Sequence, residues 1–335
     1  MPCCAIALST DAGVATRKSR HTNAPARGHP RGHVHCIGMH SHLAPRDLGL
    51  ILAVVALWGF SFVPIKWGLE SLPPFMLAAL RFLLAAIPAI FLVAPPKMPW
   101  RAVVLYGLAI GVGQFGLLFL GMKLGMPAGL SSLVAQLQVF FTIALTVAFA
   151  GDRLHRWNVA GGTVALAGVV LLGVYQLSVG EEAPLLGFLL VVACGAAWGA
   201  GNLIAKQSQG ADMFAMVVWS SLVPPPILAL VSWFSEGGND VFRAVLVAPW
   251  KAWASVLFMA WVGTLFGFST WSRLLQRYPA PLVSPFALLV PVSGLICGAI
   301  FLGEHLAVVQ LAGVAVVFAG LAINVYGPRL RRGIG

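Results

Sequence analysis

Ten apolar runs, each close to the roughly 20 residues an α-helix needs to cross a lipid bilayer, leave this chain one kind of fold. They cover residues 48–66, 74–94, 101–121, 128–150, 157–176, 185–206, 213–235, 251–271, 281–302 and 307–327, with short connections between them. Hydrocarbon offers the backbone no water, so each run must satisfy its own peptide groups, which a helix does. Only 9% of the residues are charged and 59% are hydrophobic, where a soluble domain carries about one-quarter charged residues. A soluble globular fold is excluded. The expected class is an all-α polytopic membrane protein with ten transmembrane helices.

The net charge of +11 would suggest nucleic acid in a soluble chain, but here the basic residues sit in short connections and tails. With the N-terminus inside, that side collects six Lys and Arg before the first run, then Lys97, Arg101, Arg153, Arg156, Lys206, Arg273, Arg277, Arg329, Arg331 and Arg332. The opposite side holds Lys66, Lys123, Arg243 and Lys251, and Arg81 alone lies within a run. Such asymmetry places both termini in the cytoplasm. Lipid, not nucleic acid, is the expected macromolecular surrounding, and a homodimer is compatible with this architecture.

The sequence repeats itself. Trp58-Gly59 followed by Lys66 recurs as Trp198-Gly199 followed by Lys206, an offset of 140. Pro127-Ala128, Gly151-Asp152-Arg153-Leu154, Gly161 and Ala167-Gly168 recur as Pro279-Ala280, Gly303-Glu304-His305-Leu306, Gly313 and Ala319-Gly320, at an offset of 152. The difference of about twelve residues is assigned to the 235–249 connection. Five spans per half force the second half to enter the membrane in the opposite sense, so residues 46–178 and 179–335 read as two inverted five-helix repeats. An inverted repeat of this kind is a signature of secondary transporters, whose site lies between the halves. Gly107/Gly111, Gly195/Gly199 and Gly294/Gly298 have the spacing that lets helices approach closely. Prolines within the runs, among them Pro64, Pro88, Pro224, Pro285 and Pro291, either kink a helix or free a carbonyl toward a cavity.

Residues 1–45 stand apart, with six of the eight histidines and little apolar periodicity. They read as a disordered His/Arg-rich tail, without the continuous apolar stretch of a signal peptide, and Met39 as a natural start. His21, His29, His33, His35, Cys36, His40 and His42 are spaced too irregularly for a metal site. Cys194 and Cys297 lie in apolar runs as packing residues.

Polar groups in hydrocarbon are costly and tend to face a cavity, which makes them the search list for a site. Trp58, Phe62 and Lys66 share one face of the first run, and Trp198, Asn202 and Lys206 share the equivalent face of the sixth. The duplication favours cavity-lining over anchoring of the two lysines at the interface. Arg81 has no acidic neighbour within a helical turn and needs a distant carboxylate, a helix C-terminus or an anionic ligand. Gln114 joins the list from the third run. In the fourth, Gln136 and Gln138 lie about 200° apart on an α-helix and cannot share a face. Gln138, in register with Ser131, Thr142 and Thr146, is assigned to the cavity, and Gln136, with Ser132, to an interhelical bond. Trp261, Thr264, Phe268 and Trp271 read as a packing stripe. No Asp or Glu lies centrally in any run. There is no phosphate loop, no catalytic triad order and no metal constellation, so neither an enzyme nor a cofactor is expected.

The run Trp58-Gly-Phe-Ser-Phe-Val-Pro-Ile-Lys66, the Leu80-Arg81-Phe82 triplet and the paired Gly-Asp/Glu-x-Leu ends at 151–154 and 303–306 resemble the EamA branch of the drug/metabolite transporter superfamily, from Arg46 to Arg332. Pro73 to Arg81, Gly125 to Leu133 and Leu288 to Val292 are similar to exporters of O-acetylserine and cysteine in that branch. The resemblance implies efflux of a small zwitterion by alternating access. Its carboxylate would meet Arg81, Lys66 or Lys206, and its ammonium Gln138, Asn202 or freed carbonyls. Two other readings stay open: a permease or exchanger for another amino acid, a nucleotide sugar or other metabolite, and a membrane enzyme with Glu304 and His305 as its acid/base pair.

Overall fold

The computed structural model describes residues 44–151, 154, 156–178, 182–208, 212–278 and 283–330, and no strand occurs among them. The tail with its histidines, and Arg153, lie outside the described residues. Eight helices are long and apolar enough to cross a membrane: α1 (Pro45–Leu69), α3 (Trp100–Lys123), α4 (Ala128–Ala150), α5 (Arg156–Tyr175), α6 (Leu185–Gln207), α7 (Met213–Ser235), α8 (Trp250–Trp271) and α10 (Val308–Gly327). Two shorter apolar helices, α2 (Pro74–Ile90) and α9 (Phe286–Leu302), occupy the second and ninth runs. The run expected to reach residue 94 stops as helix at Ile90, just after Pro88. The ninth opens on a 3₁₀ turn, Ser284–Leu288.

Proline chemistry shapes several of these helices. Pro64 cannot donate to the carbonyl of residue 60, and α1 breaks there, at Ser61, between two helical pieces. Pro88 likewise frees the carbonyl of Leu84, which the indole N–H of Trp261 satisfies at 3.1 Å. Pro224 sits in the first turn of the C-terminal piece of α7, Pro224–Ser235, where its missing N–H costs nothing.

The two halves match in detail. Residues 107–116 of α3 and 258–266 of α8 are wound as π-helix, a rare form usually confined to single turns and frequently found at functional sites. Residues 135–137 of α4 and 284–288 of α9 are wound as 3₁₀-helix. Helix contacts pair by the same rule: α1 packs on α9 as α6 packs on α4, and α3 on α6 as α8 on α1. Exchanging the halves therefore maps these contacts onto one another, and α5–α10, α2–α7 and α4–α9 map onto themselves.

The α5–α10 contact, the most extensive between any two helices, rests on four glycines. A Cβ on Gly161 would lie 2.6 Å from the carbonyl oxygen of Gly320, and one on Gly320 would lie 2.6 Å from that of Gly161. Gly168 faces the carbonyl of Gly313 at 2.8 Å in the same sense. With no hydrophobic drive between helices in lipid, close backbone approach at small residues supplies the packing. Away from the contact α5 stays apolar, with Leu166 61% exposed as a lipid-facing helix requires.

Helices α1 and α8 are tied at both ends. Glu70 and Lys251 pair at 2.8 Å at one. At the other, where α8 runs on as helix to Arg277, Asp47 accepts from Arg277 at 3.0 Å and from the Tyr278 hydroxyl at 2.6 Å.

Candidate functional site

A cavity of about 450 Å³ opens between the halves, lined by residues of α1, α2, α3, α4, α6, α8 and α9. Its size suits a small organic molecule. Six of the eight residues picked from the sequence line it: Trp58, Arg81, Gln114, Gln138, Trp198 and Asn202. The two lysines do not. Lys66 donates to the Met122 carbonyl at 3.2 Å, closing the C-terminal turn of α3, where a cation also complements the helix dipole. Lys206 is half-buried in the last turn of α6, outside the lining.

Arg81 is 5% exposed. Its guanidinium lies over the Phe115 ring, 3.7 Å from the centroid, and Nη2 donates to the Thr264 hydroxyl at 3.3 Å. Thr264 donates in turn to the carbonyl of Met259, five residues back, at 3.0 Å, a reach that the π winding of α8 sets up. No carboxylate among the described residues pairs with Arg81, and its Nε is buried without a partner. Gln114, also 5% exposed, has a buried Oε1 without a partner. Two side chains that line the cavity thus each carry a buried atom without a partner, a donor on a cation and an acceptor. Each is costly to leave so.

The opposite wall is a polar network on α4 and α6. Asn202 donates to Gln138 Oε1 at 2.6 Å and to the Thr142 hydroxyl at 3.0 Å. Gln136, assigned from the sequence to an interhelical bond, lines the cavity together with Gln138. The 3₁₀ turn at 135–137 explains the correction. At about 120° per residue the two amides stand about 120° apart by the shorter way, against about 160° on an α-helix.

The stripe on α8 divides. Trp261 is 49% exposed and packs on α2, whereas Phe268 and Trp271 line the cavity and stack on Trp58 at 5.4 and 5.3 Å between centroids. Trp58 is fixed by a 3.0 Å bond from its indole N–H to the Gly263 carbonyl. Aromatic residues at helical spacing gave no sign of which side faced the cavity, because the π winding shifts that face.

One family description, that of the EamA-like transporters, matches residues 47–174 and again residues 185–326. The chain belongs to the EamA-like transporter family. Among the relatives of this EamA-like transporter is a "Probable amino-acid metabolite efflux pump" of Salmonella typhimurium, 43% identical over 294 residues, covering 87% of this chain and 98% of the relative. A protein of the same description from Escherichia coli K12 is 40% identical, covering 87% and 99%. A solved structure described only as "Crystal structure of protein" aligns over 86% of this chain and 99% of its own, with a TM-score of 0.54 and 22% identity, a likeness of fold. This EamA-like transporter is a multi-pass membrane protein.

The acid/base pair considered for an enzyme has another task. Both carboxylate oxygens of Glu304 accept backbone N–H groups at the start of α4, from Ala128 at 2.5 Å and Gly129 at 2.9 Å. Glu304 is an N-terminal cap supplied by the other half of the EamA-like transporter, complementing the positive end of α4. Among the described residues no cluster of three His, Cys, Asp or Glu could hold a metal ion.

Proposed function

We propose that the protein exports small zwitterionic amino-acid metabolites, O-acetylserine and cysteine among them, from the cytoplasm across the bacterial inner membrane by alternating access. The observation that carries this reading is the pair of unmet groups in one cavity, Arg81 Nε and Gln114 Oε1. An α-carboxylate answers the first and an α-ammonium the second. A nucleotide sugar would bring two phosphate charges to a lining whose one cation is Arg81, and a lipophilic cation would find no carboxylate in it. The descriptions of the two relatives above 40% or at it point the same way. The aromatic group of Trp58, Phe268 and Trp271 favours, as the second reading, an amino acid with a larger apolar side chain.

Vesicles bearing the purified protein and loaded with labelled O-acetylserine or cysteine should lose label faster than protein-free vesicles, and an excess of either unlabelled compound should compete. Equal loss from both, with the protein inserted, would transfer the proposal to the larger amino acids.

Orientation follows from the basic residues. Reporters fused after Lys97 or Arg273 should read as cytoplasmic, and a reporter after Glu236 as periplasmic. The reverse pattern would place the termini outside and turn the export direction with them.

A further inference from the structure

The Arg81 guanidinium is a cation in a carrier interior with no counter-charge. It is 5% exposed, has no carboxylate partner among the described residues, and keeps Nε without an acceptor. The cavity that it lines contains no Asp or Glu. A substrate carboxylate would meet the need, but a carrier that has released its cargo has none. An uncompensated charge in a low-dielectric site is expensive, and removing the one group that pairs with it is among the larger penalties known in proteins.

The surroundings narrow the kind of ion that fits. There is one positive charge, the one hydrogen bond of the guanidinium goes to the Thr264 hydroxyl, and it packs against the rings of Phe115 at 3.7 Å and Phe82 at 5.6 Å. A phosphate or sulfate would bring more charge than the site neutralises. A small, polarisable, weakly hydrated monovalent anion brings one charge, needs few donors and tolerates an apolar wall.

We propose that, when no substrate is bound, Arg81 holds a monovalent inorganic anion of the halide class, and that halide and substrate carboxylate occupy this one site in turn. The inference rests on the reading of the cavity as the transport site. It adds that the empty carrier is an anion-bound carrier. Halide then assists the return of the unloaded protein and is dispensable when one substrate molecule is exchanged for another.

The binding test needs no substrate. The full-length protein, purified in detergent, is unfolded thermally in sodium isethionate, which carries no carboxylate, with bromide or chloride replacing isethionate at constant ionic strength. Halide at tenfold above its dissociation constant should raise the midpoint by about 2 °C. The shift should vanish in Arg81→Gln and persist, reduced, in Arg81→Lys. If Arg81→Gln does not fold, the reduced response of Arg81→Lys together with a weakened one in Phe115→Leu carries the assignment. An identical midpoint in isethionate and bromide for the parent protein would overturn the proposal, as would an undiminished shift in the variants. In vesicles, replacing chloride by isethionate on both sides should slow net efflux severalfold and leave exchange unchanged. A halide shift without movement of O-acetylserine or cysteine would sink the substrate reading alone, and transport with no halide shift would sink this inference alone.

Discussion

Arg81→Gln should lose at least about tenfold of its transport rate per inserted molecule while reaching the membrane in normal amounts. Hydrogen bonds to charged groups contribute about 1.5–3 kcal/mol, which corresponds to roughly 10- to 150-fold when the bond is made to the translocated carboxylate. The fold loses little by the change. In the unloaded protein the guanidinium has a single hydrogen bond, at 3.3 Å to Thr264, and an Arg in a span costs about 2.5–3.5 kcal/mol at mid-helix on insertion scales. Arg81→Lys keeps the charge but loses the planar fork and its flat contact on Phe115, so it should fall between the two. The quantity to measure is efflux divided by membrane abundance. Parental rates in both variants would make Arg81 a structural residue and send the search for the carboxylate site elsewhere in the lining.

The largest stability effect is expected at Gly320. Its missing side chain leaves room for α5: a Cβ there would sit 2.5 Å from the backbone nitrogen of Ala165 and 2.6 Å from the Gly161 carbonyl. Both obstacles are backbone, which cannot swing aside as a side-chain tip would. Gly320→Leu must therefore push α5 from α10 along their main contact, at a cost at or above the usual overpacking range of about 1–3 kcal/mol. Gly161→Leu should do the same, because the contact is reciprocal. Gly49, with nothing within 4 Å of its Cβ position, is the control. Gly49→Ala should be neutral or slightly stabilising, since Ala is the better helix former. The check is the midpoint of monodisperse protein in detergent after heating. A Gly320→Leu midpoint equal to that of Gly49→Ala would mean that the α5–α10 contact bears no load.

The reading of the sequence carried far where it rested on length, repetition and composition. The spacing of apolar runs located the eight helices long enough to cross a membrane and, as shorter apolar helices, α2 and α9. The recurrence of Gly161 and Gly168 as Gly313 and Gly320 marked residues that meet in space. Arg81 and Gln114, isolated polar groups whose cost in lipid already implies a cavity, do line one. Inference at the site failed where the helix was not α-helical. Gln136 joined Gln138 through a 3₁₀ turn, and Phe268 and Trp271 turned toward Trp58 through a π stretch. A wheel drawn at a constant angle per residue contains neither. Lys66 was misplaced for another reason: its duplication as Lys206 favoured the cavity, while a helix C-terminus close by in space, invisible in the sequence, claimed its ammonium.

The internal symmetry divides the molecule into parts that stay and parts that trade. In an inverted repeat, the inward- and outward-open states are related by letting each half take the conformation of the other. At the offset of 152 the Gly161–Gly320 and Gly168–Gly313 approaches are counterparts of each other, so exchanging the halves returns the α5–α10 contact to itself. Off-axis contacts must swap. The indole of Trp58 holds the Gly263 carbonyl at 3.0 Å, and the repeat offsets make Trp198 and Gly111 the matching pair. No such bond joins those two among the described residues. On the alternating access proposed above, one rocking step would open the first bond as it forms the second, a see-saw whose two seats carry the same residue.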